Sequence, residues 1–70
     1  MTSAYLTYVH TGRYPMSDTL HAGLLAWVHT GHASPEVSDM LADIDVNPDI
    51  RHVIRRHDVL ASIVAANAFN

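Results

Sequence analysis

Cysteine is absent from this 70-residue chain, and so is lysine. Without cysteine there is no disulfide framework and no thiolate metal site. Charge is sparse as well, at 16% of residues against 49% apolar, a balance that excludes an intrinsically disordered chain. No apolar run reaches the roughly 18–20 residues of a membrane-crossing helix, and the first residues show no basic stretch followed by an apolar core. The expectation is a cytoplasmic protein with no membrane partner. A net charge of −3 argues against a general nucleic-acid binder.

A chain of this length makes one domain, 1–70, and buries only about 60% of the surface that its unfolded form exposes. Domains this small offset the deficit with a disulfide, a metal or self-association. Self-association is the remedy this composition leaves open.

What the chain does have is a passage that occurs twice. Tyr8-Val9-His10-Thr11-Gly12, then Pro15, then Ser17-Asp18-Thr19-Leu20 recurs as Trp27-Val28-His29-Thr30-Gly31, then Pro35, then Ser38-Asp39-Met40-Leu41. Each glycine follows a periodic apolar segment, the place where a helix ends on a residue in the left-handed region. His10 and His29 then fall in a last turn, where a donor or cation meets unsatisfied carbonyls. Pro15 and Pro35 mark restarts. The passage therefore reads as a helix terminator and restarter used twice, although Thr11 and Thr30 have no evident part in that device. With only two copies, a stacked repeat array is excluded.

The period of the apolar residues predicts an all-α bundle of four short helices, at about 2–10, 16–30, 35–44 and 48–67. In the first, rich in β-branched and aromatic residues, Tyr5, Tyr8 and Val9 form the expected buried side. In the second, Met16, Leu20, Leu24 and Trp27 share a face with Gly23, a site for close helix approach, while Leu25 and Val28 lie off that stripe. The third opens on Ser34 as N-cap with Pro35 and Glu36 behind it. Its apolar stripe is Val37, Met40, Leu41 and Ile44, with Glu36, Asp39, Ala42 and Asp43 opposite. Asn47-Pro48 opens the fourth, whose stripe is Ile50, Val53, Ile54, His57, Leu60, Ala61 and Val64.

That last helix changes character halfway. Arg51, His52, Arg55 and Arg56 form a basic arc, the candidate binding surface for a partner. From Val59 to Phe69 the sequence is apolar nearly all round, the mark of a central helix of the fold or of an oligomer interface, and the few neighbours that 70 residues provide favour an interface through Val59, Leu60, Ile63 and Phe69. His57 lies on the apolar stripe, where a modest change of environment switches an imidazole near neutral pH, and it is the candidate pH-sensitive contact.

Six histidines invite a metal reading, yet the helical i, i+4 pair of zinc sites occurs nowhere. No metal and no cofactor is expected. Nor is an enzyme, because no nucleophile-elbow or phosphate-loop pattern is present. The function expected is that of a small regulatory or inhibitory interaction module, a homo-oligomer with a dimer favoured, that engages a protein with charged patches. Small proteins with this profile include accessory or inhibitory proteins of phages and mobile elements, and such a role is the expectation here. The alternative is a DNA-binding regulator. The segment from Val37 to His57 resembles a helix-turn-helix in outline, with Arg51, His52, Arg55 and Arg56 available to phosphates or guanine edges.

Overall fold

A computed structural model describes residues 3–57, and these fold into α1 (Ser3–Thr11), α2 (Asp18–Thr30), α3 (Pro35–Val46) and α4 (Asp49–His57). The all-α bundle is as the apolar period predicts, and the first segment is a helix. Val59, Leu60, Ile63 and Phe69 lie outside the described residues, as does the side chain of His57.

The doubled passage explains how the chain turns. Gly12 and Gly31 adopt φ of 74° and 76°, and no other described residue has a positive φ. Their N–H groups donate to the carbonyls of Tyr8 and Trp27, each at 2.8 Å, which closes the end of α1 and of α2. The two threonines belong to the same device. Thr11 and Thr30 donate through Oγ1 to the carbonyls of Thr7 and Ala26, both at 2.7 Å. The same oxygens accept from the N–H of the residue after each glycine, Arg13 at 3.1 Å and His32 at 3.2 Å. One hydroxyl thus satisfies a helix carbonyl and the first amide past the turn. Thr-Gly closes the helix in both places, while His10 and His29 are exposed.

The restarts are less alike than the sequence match implies. Ser17 caps α2 by accepting from Leu20 N–H at 3.1 Å, whereas α3 is capped by Ser34, which accepts from Val37 N–H at 3.3 Å. Ser38 and Asp39, aligned in sequence with Ser17 and Asp18, lie inside α3. Pro35 occupies the first turn of α3, but Pro15 sits in the connection before the cap of α2. Asn47 serves two helices, its N–H donating to the Asp43 carbonyl at 2.9 Å and its Oδ1 accepting from Asp49 N–H at 3.1 Å.

α3 packs against α2 and against α4. Leu20 and Leu24 from α2, Val37, Met40 and Ile44 from α3, and Ile50 and Ile54 from α4 are buried together, as the stripes predict. α1 has no buried residue and leans on this core through half-buried Ala4, Tyr5 and Tyr8. Val9, expected on that side, is 59% exposed, because α1 is rotated to put Ala4 inward instead.

Gly23 allows the approach of α2 to α3. A Cβ there would collide with Ser34 Oγ and sit 3.1 Å from Val37 Cγ2. The hydroxyl can leave only by giving up the cap on Val37. Gly23→Ala is therefore expected to lower stability, since overpacking costs about 1–3 kcal/mol against a helix-propensity gain of about 1 kcal/mol. A urea midpoint equal to or above that of the wild type would contradict this contact.

Candidate functional site

Three surfaces of the described residues carry chemistry. The first is the basic arc of α4. Burial of Ile50 and Ile54 turns the opposite side of the helix outward, and His52, Arg55 and Arg56 are exposed there. Arg51 departs from the expected arc, because it is half-buried and its Nε is enclosed with no hydrogen-bond partner. It lies instead on a shallow groove between α3 and α4 with Leu41, Ile44, Asp45 and Pro48. The exposed arc thus has three members where the sequence suggests four.

The second surface is a cleft of about 300 Å3 lined by α1, the connection after it and the N-terminal parts of α2 and α3. Ala4, Pro15 and Leu20 line it with apolar groups, and Thr7 and the exposed acids Glu36 and Asp39 line it as well.

Behind that cleft lies a polar contact that the sequence pattern did not indicate. Tyr14, in the connection between α1 and α2, is 5% exposed, and its hydroxyl donates to Asp43 Oδ2 at 2.6 Å. Asp43 is only 2% exposed and faces inward, not outward with Asp39. The apolar stripe of α3 is rotated so that Met40 is fully enclosed and Leu41 half-exposed. This rotation carries Asp43, which flanks Met40, into the interior. A buried carboxyl requires such a partner. The available signal was Tyr14 itself, a large aromatic in a connection, but periodicity is silent about residues outside helices.

The third surface is apolar. Leu6 and Val9 on α1, and Leu25 and Val28 on α2, are 49%, 59%, 50% and 48% exposed. The two pairs occupy equivalent positions relative to Gly12 and Gly31, so each helix presents the same small ledge outside the core.

The histidines are dispersed. His10, His29, His32 and His52 are exposed, and His21 is half-buried with Nδ1 donating to the Ser17 carbonyl at 3.0 Å. Among the described residues no three His, Asp or Glu side chains converge on a metal-sized site. No described helix is long and apolar enough to cross a membrane. Compared with known proteins, the chain matches no family model, no characterised sequence and no solved structure.

Proposed function

We propose that this protein is a non-enzymatic interaction module that self-associates through Val59, Leu60, Ile63 and Phe69 and regulates or inhibits a larger protein partner. The observation that supports the reading is apolar surface left outside the core. Leu6 and Val9 on α1 and Leu25 and Val28 on α2 leave apolar area exposed, and exposed apolar patches mark contact surfaces. The sequence from Val59 onward is apolar as well. The polarised charge of α3 and α4 supplies specificity.

Sedimentation of the wild type beside Val59→Asp and Ile63→Asp tests it. The wild type is expected to sediment as an oligomer, and each variant as a monomer or an unfolded chain. A wild type that stays monomeric at every concentration overturns the reading.

A nucleic-acid role keeps His52, Arg55 and Arg56 as exposed candidates. It has less support, because Arg51 is half-buried and exposed Asp49 opens α4, the end from which a recognition helix reads bases. A salt-dependent shift of duplex DNA that Arg55→Ala abolishes would displace the interaction reading.

A further inference from the structure

We infer that the acidic lining of the cleft on α3 and the basic arc of α4 are complementary halves of one contact between two copies of this chain. The inference rests on the self-association reading above and adds to it a second, electrostatic surface.

Charge separation within one molecule is the first ground. α3 and α4 meet through apolar side chains, Val37, Met40 and Ile44 against Ile50 and Ile54, so the charged side of each helix faces away from the shared core. Glu36 and Asp39 on one, and Arg55 and Arg56 on the other, are exposed, and among the described residues no ion pair joins the two sets. Arg55 and Arg56 are adjacent like charges, and Glu36 and Asp39 lie one turn apart. Among the described residues neither pair is joined to a counter-charge, and each gains from one supplied by another molecule.

Shape is the second. A lining of Ala4, Pro15 and Leu20 together with the acids Glu36 and Asp39 suits a side chain that is apolar along its stem and cationic at its tip. Arginine meets that description, and its planar fork pairs with a carboxylate through two parallel hydrogen bonds. The chain has no lysine, and three of its four arginines, Arg51, Arg55 and Arg56, are on α4. Two of these are exposed. A second copy therefore brings the matching groups already grouped on one helix face.

The test is a charge exchange read by sedimentation equilibrium. Arg55→Glu with Arg56→Glu is one variant. Asp39→Arg is the other, chosen over a change at Glu36 because a cation in the first turn of α3 opposes the helix dipole. Each variant alone is expected to associate at least tenfold more weakly than the wild type, and a mixture of the two is expected to recover most of that loss as a heterodimer. Wild-type association is expected to weaken about tenfold on going from low to high salt, a measurement that needs no variant to fold. Association that ignores both salt and charge reversal, while Val59→Asp abolishes it, overturns this inference and leaves the self-association reading standing. A wild type that is monomeric throughout overturns both.

Discussion

Leu24→Ala is expected to bring the protein close to its unfolding threshold. Leu24 lies at the middle of α2, is 0% exposed, and is one of eight buried apolar side chains among the described residues. Truncating such a leucine costs about 2–5 kcal/mol, from lost transfer free energy and from the cavity left behind. A chain of this length has roughly 4–10 kcal/mol to lose. The thermal midpoint should fall by about 8–40 °C, at about 4–8 °C for each kcal/mol in a domain of this size. The neighbouring position is the control. Leu25 is 50% exposed, so Leu25→Ala should change the stability of the monomer by no more than about 0.5 kcal/mol. Far-ultraviolet dichroism in urea measures both, and equal midpoints for the two variants would show that α2 is turned differently.

The contrast between adjacent leucines was legible in the sequence, because Leu24 continues the stripe of Leu20 and Leu25 departs from it. So were the cap at Ser34, the glycine ends and the opening of α4 at Asn47, since each depends on residues within about five positions of one another; that Asn47 also closes α3 was not. Local devices are visible locally. The same locality explains what was missed. A stripe on α3 has a width but no absolute orientation, and only contact with α2, α4 and the connection at Tyr14 decides that Met40 and Asp43 turn inward while Leu41 does not. In α1, where both faces carry apolar residues, the pattern could not choose between Val9 and Ala4. The doubled passage misled in its second half for a related reason. Ser-Asp-x-Leu looks alike at a helix start and one turn into a helix, and the spacing from glycine to cap is free to change. The basic arc was found in outline, but the partial burial of Arg51 depends on the groove between two helices.

The extra length of the first connection has a structural use, and it sets the second large expected effect. Between Gly12 and Ser17 lie Arg13, Tyr14, Pro15 and Met16, whereas only His32 and Ala33 separate Gly31 from Ser34. The longer path lets Tyr14 turn into the core and reach Asp43, 29 positions away. Tyr14→Ala removes a buried aromatic ring and its hydrogen bond together, and is expected to cost about 3–5 kcal/mol. Tyr14→Phe keeps the ring and removes only the donor to a buried carboxyl oxygen, so its cost should be about 1–3 kcal/mol. The difference between the two variants separates packing from the hydrogen bond. A cycle with Asp43→Ala should then return a coupling of about 0.5–3 kcal/mol, as for other side chains in direct contact. The loss should also be uneven along the chain. α1 has no buried residue of its own, and the connection that carries Tyr14 is its covalent tie to the core formed by α2, α3 and α4. Amide hydrogens of α1 are therefore expected to exchange faster in Tyr14→Phe than in the wild type while those of α3 keep their relative protection, a pattern of local opening. If Tyr14→Phe melts with the wild type and α1 exchanges no faster, the hydroxyl is not what fastens the first helix.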